Sequence, residues 1–381
     1  MNEGERQKIR RAVPAGLLVG VAVAALQLFG ALEPVELALY DRLFEWRGPR
    51  TPRTPIVIVA IDEASFVELK EQWPFPRALH AEVIARLAAG TPLAIGVDLI
   101  FDQPSGRGPA DDEALGDAVK LAGNVVLAAA PKVEDSHLGS GDLKVKRELP
   151  NIPVPEIRAG AAAVAATNHV AEDDAAVRRS PLSVPLSGMA RPSFDVALHQ
   201  VAAKAGLPVK PLPGGPDFLI NFRGGPRSFK WVSYYQVLRG EAPPSLFKGK
   251  VVLVGATTSV LHDVFPTPFA RAGAMPGVEI HANALETLVL GDRIRDAGRG
   301  VAALLAFVGA TFVAGVVGWS PNRAAVYAAA LLVAVWAVTY AVFILLDVWL
   351  RVGGPSVAVV LGLLAASLVA SRRRPATLSA R

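Results

Sequence analysis

One apolar, mostly β-branched run decides the fold: Pro55-Ile56-Val57-Ile58-Val59-Ala60-Ile61, which ends at Asp62. A short run of this kind is typical of a buried strand. Residues 77–89 come next with apolar side chains at helical spacing, which predicts an amphipathic helix. This part of the chain therefore reads as a strand followed by a helix.

The same alternation continues along the chain. We predict further strands at residues 93–97, 125–129, 161–166, 218–222 and 251–254, and further helices at residues 111–121, 194–205 and 278–290. Continuous apolar strands that alternate with helices imply a mostly parallel sheet covered by helices on both faces. Residues 131–155 are polar and contain Gly and Pro, which predicts a surface excursion. The fold class is α/β.

Four apolar stretches are long enough to cross a membrane as helices: residues 14–32, 301–319, 324–346 and 352–370. The last three contain no charged side chain, and each charge at a helix centre would cost about 2.5–3.5 kcal/mol. The first stretch exceeds the 7–15 apolar residues of a usual signal peptide, so we favour an uncleaved anchor over a cleaved signal. Small residues recur every fourth position in three of the stretches, and we expect them to pack the helices of one chain together.

Basic residues predict the orientation of these spans. Residues 1–13 and 371–381 are basic tails, and Arg323 lies in the loop between the second and third spans. Excess Lys and Arg mark the cytoplasmic side, so both tails are expected there. Residues 33–300 then form a domain in the periplasm or outside the cell, and the chain is a multi-pass protein of the inner (plasma) membrane.

Composition excludes several classes of protein. The 381 residues are 52% hydrophobic and 19% charged, and Cys is absent. Disulfide frameworks, thiolate metal sites and a cysteine nucleophile are therefore excluded. The net charge of +5 comes mostly from the two ends, so it does not indicate a nucleic-acid partner.

Acidic residues follow several predicted strands: Asp62, Glu63, Asp98 and, after a turn, Asp263, which His262 precedes. Carboxyl ends of parallel strands share one edge, where ligands bind. These acids predict a polar cleft for a cation or for a polyol, an amine or another ligand rich in donors. The alternative is that they cap helices and form turns, as Asp commonly does.

Arg77 begins a predicted helix, where the helix dipole disfavours a positive charge. We therefore expect a carboxylate partner, Asp62 or Asp98, in a structural ion pair rather than a ligand contact. The segment Phe247-Lys248-Gly249-Lys250 precedes its strand and is not a phosphate loop. His169, His199, His262 and His281 are scattered along the sequence, and such residues are most often packed or solvated.

Several blocks of sequence together resemble the second class of CHASE domains, which are extracellular sensors associated with cyclases and histidine kinases. They include Ile58-Val59-Ala60-Ile61-Asp62-Glu63-Ala64-Ser65, Trp73-Pro74-Phe75-Pro76-Arg77, Gly96-Val97-Asp98-Leu99-Ile100-Phe101 and Pro276-Gly277-Val278-Glu279-Ile280-His281-Ala282-Asn283-Ala284. The resemblance implies signal reception outside the membrane, with one span before the sensor and three after it. Only residues 371–381 follow the last predicted span, so we expect no cyclase, kinase or phosphodiesterase domain and no enzymatic activity.

The leading hypothesis is a membrane-bound sensor or regulatory protein that relays an unknown extracytoplasmic signal through its helices to a separate effector protein. The alternatives are a scaffold that binds another envelope protein and a metal-assisted hydrolase. The candidate ligand-binding residues are Asp62, Glu63, Arg77, Asp98, Asp263 and His281. The cofactor, any metal and a homo-oligomeric state are left open; the lipid bilayer is the one expected partner that is identified.

Overall fold

A computed structural model describes residues 3–137, 144–186, 189–261 and 263–371. His262 and the basic residues of the C-terminal tail therefore lie outside the described residues. The chain divides into two compact units, one of Met1–Arg47 with Ile294–Arg381 and one of Gly48–Arg293. The predicted domain at 33–300 is thus wider than the second unit.

The α-helices of the described residues are α1 Glu3–Leu28, α2 Glu33–Arg47, α3 Glu63–Leu69, α4 Arg77–Ala89, α5 Pro109–Ala122, α6 Pro155–Arg158, α7 Phe194–Lys204, α8 Tyr234–Leu238, α9 Gly277–Leu290, α10 Arg299–Trp319, α11 Pro321–Leu346 and α12 Gly353–Ser371. The strands are β1 Ile56–Ile61, β2 Ala94–Asp98, β3 Val125–His137, β4 Lys144–Asn151, β5 Ala163–Ala166, β6 Val170–Ala171, β7 Val177–Pro181, β8 Ser183–Leu186, β9 Met189–Pro192, β10 Asp217–Leu219, β11 Lys230–Ser233, β12 Val251–Ala256, β13 Val264–Phe265, β14 Met275–Pro276, β15 Arg295–Asp296 and β16 Val348–Trp349.

The main sheet of the Gly48–Arg293 unit has the strand order β11-β1-β12-β2-β3-β4, and β5 also pairs with β3. All of these pairings are parallel except that of β3 with β4. The predicted mostly parallel sheet is therefore confirmed. Strand β12 lies between β1 and β2, so the first two strands of the sequence are not neighbours.

Helices cover both faces of this sheet. Because successive strand residues point to opposite sides, each strand contributes to two hydrophobic cores. Val57 and Val59 of β1 pack in one core with Val83 of α4 and Leu115 of α5. Ile58 packs in the opposite core, which contains residues of α7 and α9. Continuous burial of β1 on both faces explains why its sequence shows no polar alternation.

Helix α9 is buried on nearly all sides and carries several polar residues. Along one side they accept backbone N–H groups of neighbouring loops. Glu279 accepts from Arg227 at 2.9 Å and from Ser228 at 2.8 Å. Asn283 Oδ1 accepts from the N–H of Arg223 at 2.8 Å. These buried groups are satisfied, and they fix the loops to the helix.

Two predicted segments differ in the structure. The strand predicted at residues 218–222 is β10, and it belongs to a separate three-stranded antiparallel sheet with β7 and β6. The excursion predicted at residues 131–155 includes the antiparallel pair β3 and β4; residues 138–143 between them lie outside the described part. Apolar pattern and Gly or Pro content indicate local conformation, whereas strand pairing depends on partners distant in sequence.

The other unit contains four helices that are long and apolar enough to cross a membrane: Ile9–Leu28 within α1, and α10, α11 and α12. The first helix ends at Leu28 instead of residue 32, because Gly30 adopts a left-handed conformation with φ +79° and α2 begins at Glu33. A Cβ atom on Gly16 would lie 2.9 Å from the carbonyl oxygen of Ala310, so small residues let α1 and α10 approach closely.

Carboxylates of this unit bind the start of α12. Glu36 of α2 is buried and accepts the N–H groups of Gly353 at 3.0 Å and Gly354 at 2.9 Å. Arg351 forms ion pairs with Glu33 and with Asp296, both at 2.7 Å. Helix α12 thus begins with backbone donors that a side chain of another helix satisfies.

Candidate functional site

The carboxyl ends of β12 and β2 meet at Gly255 and Asp98, which are register partners. A Cβ atom on Gly255 would lie 2.7 Å from Cβ of Val278 and 3.3 Å from Cβ of Asp98. Only glycine allows α9 and Asp98 to approach the strand this closely. The sequence thereby brings the first turn of α9 against the end of the sheet.

A cavity of about 260 Å³ opens at this edge. Its wall combines acidic, aromatic and aliphatic residues: Trp73, Asp98, Leu99, Ile100, Thr167, His169, Ala256, Leu261 and Asp263. None of these described lining residues is Lys or Arg. Polar groups within a partly apolar cavity are typical of small-molecule sites.

His281 of α9 lies behind this wall, with its ring centroid 4.3 Å from that of His169. Its Nδ1 is 2.7 Å from Oδ1 of Asp195, whose Oδ2 accepts a hydrogen bond from Ser180 at 2.6 Å. The side chain of His281 is 3% exposed, and its Nε2 has no hydrogen-bond partner in the described part of the chain. Asp195 thus orients Nδ1, whereas Nε2 is available to a group outside the described residues.

Burial and mutual charge set the protonation of these groups. Burial raises the pKa of Asp98 to about 7; Asp263 and Asp195 add to the rise, and His281 opposes it. Burial also raises the pKa of Asp263, against the effect of His281 and of a hydrogen bond from Gly277. Burial alone would lower the pKa of His281, but the carboxylates of Asp195, Asp98 and Asp263 together raise it to about 9.

Burial lowers the pKa of His169 well below its ordinary value, and the neighbouring His281 acts in the same direction. At neutral pH His169 is therefore neutral, whereas His281 is a cation paired with Asp195. Asp98, with a pKa of about 7, is about half ionised at neutral pH, and no Lys or Arg stands among the described lining residues.

The candidate residues predicted from sequence separate into two groups. Asp98 and Asp263 line the cavity, and His281 lies behind it. Asp62 caps α3: its carboxylate accepts from the N–H of Ser65 at 2.9 Å and from the hydroxyl of Ser233 at 2.5 Å. It is separated from Asp98 because β1 and β2 are two strand spacings apart, roughly 10 Å. Glu63 is exposed in the first turn of α3.

Arg77 pairs with a carboxylate other than the two predicted. Its Nε lies 3.5 Å from Oδ1 of Asp112, and its guanidinium lies 4.6 Å from the centroid of the Phe101 ring. Asp111 accepts the N–H groups of Arg77 at 3.0 Å and Ala78 at 2.8 Å, so it caps α4. The expected pairing with Asp62 or Asp98 is wrong. Helix α5 places Asp111 and Asp112 at the start of α4 instead.

Sequence reasoning set His169 aside as a packed or solvated residue, and it did not consider Asp195 or Ser180. His169 could have been found, because it follows the predicted strand at 161–166, whose carboxyl end shares the edge of Asp98. Asp195 begins α7, and Ser180 lies in the antiparallel strand β7, so neither is marked by the parallel-sheet rule. Within the described residues, no three or more His, Cys, Asp or Glu side chains are grouped to hold a metal ion.

Comparison with known families gives one result. The family model of the CHASE2 domain matches residues 18–320. This match covers most of the chain and confirms the resemblance found in the sequence. Neither the curated proteins nor the solved structures contain a match.

Proposed function

Because this chain belongs to the CHASE2 family of extracellular sensory domains, we propose that it is a membrane-bound sensor whose cavity receives a signal outside the cytoplasm. The observation that carries the proposal is the polar cavity at the carboxyl edge of the sheet, in which Asp98 and Asp263 line the wall. A parallel sheet presents ligands at this edge. Four helices of membrane-spanning length support attachment to a bilayer.

The chain connects the cavity to the spans over a short distance in sequence. Helix α9, which carries His281, ends at Leu290, and α10 begins at Arg299. A ligand that binds two states of α9 with different affinity would bias whatever follows it in the chain. We propose that this bias is relayed through α10, α11 and α12 to a separate cytoplasmic or membrane partner.

Labelling of single cysteines tests the placement, since the chain has no Cys of its own. Gly106 has open space around it, and Asn322 is exposed at the start of α11. In intact cells a membrane-impermeant maleimide should label Gly106→Cys and should label Asn322→Cys only after lysis. Labelling of Asn322→Cys with protection of Gly106→Cys would contradict the proposed topology.

The remaining candidate functions predict different results. A scaffold would retain its envelope partner after Asp98→Asn and Asp263→Asn, whereas the sensor would lose its ligand response. For the metal-assisted hydrolase, no group of three potential metal ligands within the described part of the chain supplies a supporting observation.

A further inference from the structure

The cavity wall disfavours an anion. Asp98 and Asp263 are both acidic, and the nearby His281 cation is already paired with Asp195 at 2.7 Å. Among the described residues, none donates a hydrogen bond to the carboxylate of Asp98. A partly buried carboxylate without a donor is costly, and a ligand that brings a donor or a positive charge would relieve this cost.

A second observation also indicates incomplete satisfaction at this place. Nε2 of His281 is buried and has no hydrogen-bond partner among the described residues, although His281 contacts the ring of His169 and feels the charges of Asp98 and Asp263. The polar groups around the cavity are therefore not closed into a network among themselves. Nε2–H of the His281 cation is a donor, so the carboxylates, and not the imidazole, are the groups that an ammonium ion can pair with. A fully structural cluster would satisfy its own donors and acceptors.

The rest of the wall is apolar and indicates an organic ligand. Trp73, Leu99, Ile100 and Leu261 supply one aromatic and three aliphatic surfaces. An aromatic face attracts a cation, and aliphatic side chains pack against hydrocarbon. The volume of about 260 Å³ lies below the range of roughly 300–1,000 Å³ typical of drug-sized ligands. The ligand is accordingly small.

We propose that this cavity binds a small protonated alkylamine, with its ammonium group paired to Asp98 and Asp263 and its hydrocarbon packed against Trp73 and Ile100. The proposal names the ligand class of the proposed sensor and so rests on that function. The ammonium group supplies hydrogen-bond donors to Asp98, which receives none from the described residues.

Amine binding should also release protons near neutral pH. The pKa of Asp98 is about 7, and the titratable groups that face it are His281, Asp263 and Asp195, with His169 on the same wall. An ammonium ion binds the ionised form of Asp98, which lowers its pKa and expels its proton. Affinity for an amine should therefore fall as the pH drops below 7.

The test uses the full chain in detergent micelles and n-butylamine as the probe, with n-butanol and butyrate as neutral and anionic molecules of matched size. At pH 8, n-butylamine should raise the midpoint of thermal unfolding in a saturable manner, and the other two should not. The shift should shrink at pH 5.5. Titration calorimetry at pH 7 in two buffers of different ionisation enthalpy should show proton release.

Asp98→Asn should abolish the shift, and the matched variant Glu63→Gln, which removes an exposed acid from the same sheet edge, should keep it. If Asp98→Asn does not fold, Asp263→Asn serves instead and should weaken binding at least tenfold. Equal shifts with butanol, a shift with butyrate, or an amine shift that survives both Asp variants would overturn the alkylamine proposal. The labelling experiment judges the sensor topology separately, so the two failures are distinguishable.

Discussion

Asp195 and His281 form a buried ion pair whose strength depends on the protonation of the imidazole. Nδ1 of His281 lies 2.7 Å from Oδ1 of Asp195, and both side chains are almost inaccessible to solvent. Removing His281 leaves the buried carboxylate of Asp195 with its hydrogen bond from Ser180 but without its paired cation. At the scale of single residues, this pair determines how the stability of the domain responds to alkaline pH.

The pKa of His281 is raised from 6.5 to about 9 in the folded chain. Its stabilising contribution is therefore complete below pH 6.5 and is lost as the pH rises through 9, on the order of a few kcal/mol. We expect the midpoint of thermal unfolding to fall across this window in the wild type, and His281→Gln to remove most of that fall.

A control is His199→Gln, because burial lowers the pKa of His199 and its linkage acts in the opposite direction. That variant should keep the alkaline fall. The folded pKa of Asp98 is raised from 3.8 to about 7, so its contribution to stability is lost as the pH rises from about 4 to 7, below the window of His281. An unchanged slope between pH 6.5 and 9 in His281→Gln would contradict the assignment.

Some of these residues were predictable and others were not. Asp98 ends a strongly apolar strand, so its place at the sheet edge follows from local pattern. The separation of Asp62 from Asp98 depends on the insertion of β12, a strand that comes some 150 positions later, between β1 and β2. Local periodicity contains no information on this order, which explains why an acid that caps a helix was grouped with acids of the cavity.

At the scale of elements, the carboxylate of Glu36 in α2 binds the start of α12. Glu36 accepts two N–H groups from the first residues of α12 and is itself fully buried. Backbone donors at a helix start need partners, and charged acceptors give the stronger bonds. Glu36 thus replaces the local capping residue that the Gly353-Gly354 sequence lacks.

We expect Glu36→Ala to lower the free energy of unfolding by about 1–3 kcal/mol, because it leaves two buried donors without an acceptor. Glu45→Ala on the same helix is the control, since Glu45 pairs with the partly exposed Arg42 and such pairs contribute about 0–1 kcal/mol. Unfolding by SDS titration in mixed micelles measures both. Equal effects of the two substitutions would refute a special role of Glu36.

Prediction of whole elements succeeded where the periodicity of apolar residues within a segment marks the face that is buried. Helix α4 has the predicted bounds, and α9 differs by one residue at its start. The strands β6 to β9 were missed because each is short and pairs antiparallel outside the main sheet. Their conformation is fixed by pairing rather than by an apolar run, and pairing is not visible in local sequence.

At the scale of the whole molecule, the proposed topology implies that orientation in the bilayer depends on a few charges near one end. Arg6, Lys8, Arg10 and Arg11 precede or begin the apolar part of the first span. Large domains translocate with little regard to their own charge, so under the proposed topology we expect these four residues to have the main influence on the first span.

Replacing all four by Gln should reduce the fraction of Gly106→Cys that an impermeant maleimide labels in intact cells. Lys204→Gln combined with Lys230→Gln removes exposed charge from the folded unit and should leave that fraction unchanged. Labelling that responds equally to both sets of changes would show that total charge, rather than its position, sets the orientation.

The buried helix α9 has one further consequence. Glu279 and Asn283 tie it to the backbone of neighbouring loops, while His281 reaches Asp195 from another side. Sliding or rolling this helix alone would break several enclosed bonds at once. We therefore expect a stimulus at His281 to move helix α9 and these loops together as one rigid body, without bending the helix.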